Sequence, residues 1–139
     1  MFIFRKKRPN TCYTYFRIVG YFDPDEMSRR LELQPFKAWK STDIRRDGRA
    51  YGFSSWCFGK CEAYEIDTSI QMEKTIEPLK DKVDILNEIR NEYDVEFYLE
   101  IVPWLRSYNT KPYLTPSLDV MEFCLSTRTE LDLDLYIPE

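Results

Sequence analysis

The sequence predicts an α+β domain, a mostly antiparallel sheet with helices packed on one face. Three observations carry this reading. Segments in which apolar residues alternate are interleaved with segments of helical period. The alternating segments have one wet side, the mark of a sheet covered on a single face. The order strand, helix, strands, long helix, strand, helix, strand is that of a ferredoxin-like split unit extended by a further helix and strand. With 139 residues, 43% of them hydrophobic and 16% aromatic, the chain fits one domain over 1–139. A domain near this size buries about 70% of its unfolded surface, enough for a real core.

Residues 1–10 (MFIFRKKRPN) are expected to be an edge strand or a flexible tail. Tyr13 to Tyr21 reads as the first strand, with Tyr13, Tyr15, Arg17, Val19 and Tyr21 on one side and Thr14, Phe16, Ile18 and Gly20 on the other. Asp23 then caps a helix that has Pro24 at its first position and Glu26 at capping-box spacing. Met27 and Leu31 form its buried stripe, and Gln34-Pro35 ends it, because the residue before a proline avoids the helical region.

Phe36 to Trp39 reads as a short strand, and Ser41 to Gly52 as a polar loop or hairpin tip with a turn at Asp47-Gly48. Phe53 to Ile66 is a second extended region. A long helix is expected from Thr75 to Tyr93, with Pro78 in its first turn and Leu79, Val83, Leu86, Ile89 and Tyr93 on its buried face. Val95 to Val102 alternates cleanly, with Val95, Phe97, Leu99 and Ile101 inward and Glu96, Tyr98 and Glu100 outward. Thr115-Pro116 is expected to start a third helix with the stripe Leu118, Met121 and Leu125. Leu131 to Ile137 forms a terminal strand whose outer face is acidic through Asp132 and Asp134.

Composition excludes several functions. The formal net charge is −4, so the whole domain does not attract phosphate backbones. No run approaches the ~20 apolar residues of a membrane span. The apolar start precedes the basic cluster Arg5 to Arg8, the reverse of a signal peptide, which predicts a cytoplasmic protein. The absence of histidine removes the commonest general base and metal ligand. The hydroxyls of Ser41, Thr42, Ser54 and Ser55 therefore lack their usual activator, and the glycines have no phosphate-cradling spacing. Cys12, Cys57, Cys61 and Cys124 read as structural thiols. On an unbroken strand Cys57 and Cys61 share a face about 13 Å apart, too far for one zinc. The reading is non-enzymatic, with no catalytic residue, no cofactor and no metal.

Phe16-Arg17-Ile18 leading into Asp23-Pro24, then Leu31-Glu32-Leu33-Gln34-Pro35, Trp56, and Leu133-Asp134-Leu135-Tyr136 form a further pattern. Together with the helix before Val95-Glu96-Phe97 and the helix over Leu118 to Phe123, it resembles the bacterial domain of unknown function 4279 family. The resemblance spans nearly the whole chain. It implies a small single-domain bacterial protein and carries no activity or catalytic residue.

What remains is a surface. Tyr13, Tyr15, Arg17, Glu96, Tyr98, Glu100, Asp132, Asp134 and Tyr136 are expected on one sheet face, aromatic bodies among acidic heads. Such a face suits a protein partner, an immunity-type inhibitor of a toxin being one concrete version. The alternatives are a small-molecule pocket between sheet and loop, and an RNA-binding sheet, which the carboxylates oppose. Sequence leaves the oligomeric state open.

Overall fold

The computed structural model describes residues 7–63 and 67–138. Its strands are β1 Thr11–Gly20, β2 Lys37–Trp39, β3 Ser54–Ala63, β4 Val95–Trp104 and β5 Thr129–Leu133. Its helices are α1 Pro24–Leu31, α2 Thr68–Ile76, α3 Val83–Glu92 and α4 Leu118–Thr127, with a 3-10 turn Glu77–Lys82 joining α2 to α3. The strand order is β2-β3-β1-β4-β5. All neighbours are antiparallel except β4 and β5, which are parallel.

β1 sits at the centre because every second residue can be buried. Cys12, Thr14, Phe16 and Ile18 are fully enclosed under the helices, and the residues between them face the other side. Phe97, Leu99 and Ile101 of β4 and Trp56 of β3 continue the same buried face. Met27, Leu31, Met72, Ile76, Leu79, Leu86, Ile89, Val120 and Phe123 close over it from the helix layer. Each such side chain contributes about 1.5–3 kcal/mol when fully buried. The Phe16 ring lies 5.6 Å from Phe97 and 6.2 Å from Phe123, ring distances favoured by aromatic pairs. The Trp56 indole N–H donates to Ser28 Oγ at 3.0 Å, so the largest buried side chain also satisfies its one polar atom.

Helix α1 starts as expected. Asp23 accepts from the Asp25 amide at 3.0 Å with Pro24 behind the cap, while Glu26 pairs with Arg29 instead of closing a capping box.

Five sequence expectations are corrected. The long helix begins earlier and is interrupted. Pro78 lacks an amide hydrogen and its ring displaces the carbonyl four residues back, so α2 stops at Ile76 and a 3-10 turn precedes α3. The cap of α4 is Ser117, whose Oγ accepts from the Val120 amide at 3.3 Å, so Thr115-Pro116 lies outside the helix.

The stripe of α4 is also reversed. Val120, Phe123, Cys124 and Thr127 are buried, whereas Leu118 and Leu125 are 80% and 83% exposed. This helix carries apolar residues on two sides, and periodicity alone does not choose between them. The terminal strand ends at Leu133 and continues only as a single bridge from Tyr136 to Trp104, and Leu131 and Leu133 are half-exposed.

The fifth correction concerns β3. Between Thr14 and Phe16 the register with β3 slips by one residue at Gly59, whose φ is 74°. Thr14 pairs with Cys61 on the buried side, and Arg17 pairs with Cys57 on the open side. Cys57 and Cys61 therefore lie on opposite faces of the sheet, which separates them more completely than an unbroken strand would. Among the described residues no group of three or more Cys, Asp or Glu side chains gathers at metal-binding distance. The bulge is pinned from the helix layer: Thr75 Oγ1 donates to the Gly59 carbonyl at 2.8 Å, and Thr14 Oγ1 lies 2.8 Å from Thr75 Oγ1. The expected edge or tail at the N-terminus lies outside the described residues over 1–6, as do Tyr64 and Ile66 of the second extended region. No helix among the described residues is long and apolar enough to cross a membrane.

Candidate functional site on the open sheet face

Helices cover one face of the sheet, and strand register dictates what stands on the other. One cross-strand row reads Trp39, Ser55, Val19, Glu96 from β2 to β4. The next reads Lys37, Cys57, Arg17, Tyr98, Glu130, and continues into β5. The third joins Tyr15, Glu100 and Asp132, and a fourth joins Glu62, Tyr13 and Val102. Asp134 follows, its amide held by the Ile101 carbonyl at 2.9 Å, and the Tyr136 ring stacks on Trp104 at 4.7 Å. The nine residues expected on one face are therefore brought together there.

The face is bipolar, which the sequence reading did not foresee. Its β4–β5 half carries Glu96, Glu100, Glu130, Asp132 and Asp134, and its β2–β3 half carries Lys37 and Lys60 together with Glu62, with Arg17 between. Two clefts meet at Arg17. One of about 280 Å³ has Tyr13, Tyr15, Phe36 and Trp39 as walls and Lys37 and Lys60 at its rim. The other, about 370 Å³, lies among Phe53, Tyr98, Glu100, Glu130 and Asp132. A third hollow of about 220 Å³, beside the 3-10 turn and α4, is lined by Lys80 and Asp119. These two are already paired at 3.7 Å.

Arg17 is held in place. Its Nε donates to Ser55 Oγ at 3.1 Å, and its guanidinium carbon lies 5.9 Å from the ring centres of both Trp39 and Phe53. Trp39 is itself fixed, donating its indole N–H to the Phe53 carbonyl at 3.1 Å and stacking on Tyr51 at 4.5 Å. The terminal amino groups of Arg17 have no hydrogen-bond acceptor or carboxylate partner among the described residues. In the loop after β2, Arg45 is occupied by Asp47 at 3.8 Å.

Glu100 departs most from expectation. It points to the open face, as alternation requires, yet only 4% of its surface is exposed. Burial pushes its carboxyl up to about 8, and the hydrogen bond to Asp132 and that residue's charge add to the effect, while Arg17 opposes it. Below that pH Glu100 is a neutral acid holding its proton toward Asp132. The rest of the face titrates less unusually. Tyr98 donates to Glu96, and that bond, more than burial, raises its hydroxyl to about 12. Burial, then the nearness of Glu100, raises Tyr15.

A family model described as a domain of unknown function (DUF4279) matches residues 10–138. The chain belongs to the DUF4279 family. No curated protein and no solved structure matches it significantly. The DUF4279 match takes in all five strands and four helices, and hence every residue of the open face. Within it, sequence reading missed Lys37, Lys60 and Glu130. The alternation of Lys37 and Trp39 about Ala38 already placed Lys37 beside Trp39 on one side of β2. Lys60 was hidden by the bulge, which changes which β3 residues face out.

Proposed function

We propose that this DUF4279 chain is a non-enzymatic binding module whose open sheet face takes a protein partner through its acidic half. The observation that carries the reading is the concentration of Glu96, Glu130, Asp132 and Asp134 on two neighbouring strands and the tail after them, with Tyr98 and Tyr136 among them. Carboxylates so close repel one another unless a basic surface lies against them, and tyrosine supplies contact area at little entropic cost. The partner is a protein with a basic patch, and an immunity-type inhibitor masking a basic active site is the concrete version. The same carboxylates oppose a nucleic-acid backbone.

Neutralising the exposed carboxylates together, Glu96→Gln, Glu130→Gln, Asp132→Asn and Asp134→Asn, is expected to slow association with the partner about tenfold or more at low salt. It should also flatten the salt dependence of the rate. Glu100 is left out of this set because it is buried and already neutral at pH 7. Stopped-flow or surface-based kinetics at several ionic strengths check it, and an unchanged rate removes the acidic half from recognition.

A further inference from the structure

We propose that the cleft between β1, β2 and β3 is a binding site for a small anion with a flat apolar body, an aromatic carboxylate, gripped by Arg17, Lys37 and Lys60. The inference stands on observations separate from those behind the protein-binding reading, since it uses the opposite half of the face.

The charges point to an anion. Arg17 and Lys37 flank Cys57 in one cross-strand row, so their backbones stand about 10 Å apart at the usual strand spacing. Lys60 borders the same cleft from the bulged segment of β3. None of the three has a carboxylate within 4.0 Å among the described residues, whereas Lys40, Arg45 and Lys80 are all paired. In a chain of net charge −4, three cations around one cleft that form no ion pair among the described residues, with Glu62 beside Tyr13 as the carboxylate that register places on this side, are a local departure from the overall balance.

The walls point to a flat body. Lys37 Nζ lies 5.3 Å from the Trp39 ring centre and Lys60 Nζ 4.7 Å from that of Tyr13, so each ammonium is carried on a ring that lines the cleft. Tyr15 meets Phe36 edge-on at 5.5 Å and closes the floor. An aromatic ring inserted here stacks on Tyr13 or Trp39 while its carboxylate meets the Arg17 fork, the bidentate geometry that guanidinium offers. Arg17 is suited to this because Ser55 and the two rings fix it before any ligand arrives, which lowers the ordering cost of binding.

Glu100 couples the site to pH. It faces Arg17, Tyr15 and Tyr13 on β1, Cys57 on β3, and Asp132 and Asp134 on and after β5. While Glu100 holds its proton, the Arg17 charge is available to a ligand. Once it ionises, above about 8, a carboxylate sits beside Arg17 and competes for it.

The test uses the purified chain, with benzoate and inorganic phosphate as probes, and follows the Trp39 indole N–H by nitrogen-resolved NMR. Benzoate at pH 7 should shift this signal saturably and bind more tightly than phosphate. Lys37→Gln combined with Lys60→Gln should weaken benzoate about tenfold or more. Both lysines are exposed, so this variant keeps its fold. Arg17→Gln should abolish binding, with thermal melting to verify folding. Raising the pH to 9 should weaken wild-type binding several-fold. Absence of a saturable shift, or equal affinity in the double-lysine variant, overturns the site. Phosphate binding as tightly as benzoate overturns the assignment to a flat-bodied acid.

Discussion

Glu100→Gln raises the melting temperature of the protein at pH 8.5 and flattens the decline of stability with pH that the wild type shows. An unfolded glutamate titrates near ~4.3, and the folded one near about 8, so the folded state binds more protons across that interval. Stability then falls as pH rises from the lower value through the upper one. The difference amounts to a penalty on the order of 5 kcal/mol once Glu100 is fully ionised in the fold. Arg17 does not cancel it, because burial outweighs the nearby charge and Asp132 and Asp134 add repulsion. Glutamine keeps the shape and a donor toward Asp132 but cannot ionise. Thermal melts of both proteins from pH 5 to 9 check this. A variant that loses stability with pH as steeply as the wild type shows that another group is responsible.

Gly20→Ala destabilises the fold by about 3 kcal/mol or more, which lowers the melting temperature by roughly 10 °C. Gly20 ends β1, where the chain passes against the start of β4. A Cβ built there comes within 2.2 Å of the Asp94 carbonyl oxygen and 3.0 Å of the Val95 Cα. Both are backbone atoms, so no side-chain rotation relieves the overlap. Relief requires β1 and β4 to separate at Gly20 and Val95, a paired position in the register that builds the open face. Gly48→Ala is the control: no atom lies within 4 Å of the added carbon, and the cost is confined to its φ of 83°. Equal melting temperatures for Gly20→Ala and the wild type contradict the close approach.

Much of this architecture was legible because alternation and capping are local. β1 and β4 announce which residues face the helices, and Asp23-Pro24 announces where α1 begins. The nine-residue face follows, since period two places Tyr13, Tyr15 and Arg17 together, and Tyr98 and Glu100 together, before any pairing is known. What escaped depends on relations between segments. The 280 Å³ cleft needs the bulge at Gly59, which brings Lys60 to the open side. The protonated state of Glu100 needs Tyr15, Arg17 and Asp132 assembled around it. The choice between two apolar sides of α4 depends on where α2, α3 and β5 stand. The parallel direction of β5 was within reach, because a strand returning through a helix on the same face runs parallel to the one before.

The account rests on the open face being the surface that meets another molecule. Its most direct test is comparative capture from cells that express the tagged chain together with its chromosomal neighbours. The wild type is set beside the variant carrying Glu96→Gln, Glu130→Gln, Asp132→Asn and Asp134→Asn, and retained proteins are read by mass spectrometry. The account predicts a stoichiometric protein partner that the wild type holds at low salt, that salt releases, and that the variant fails to retain although it melts like the wild type. A partner retained equally by both places recognition elsewhere on the molecule and contradicts the account.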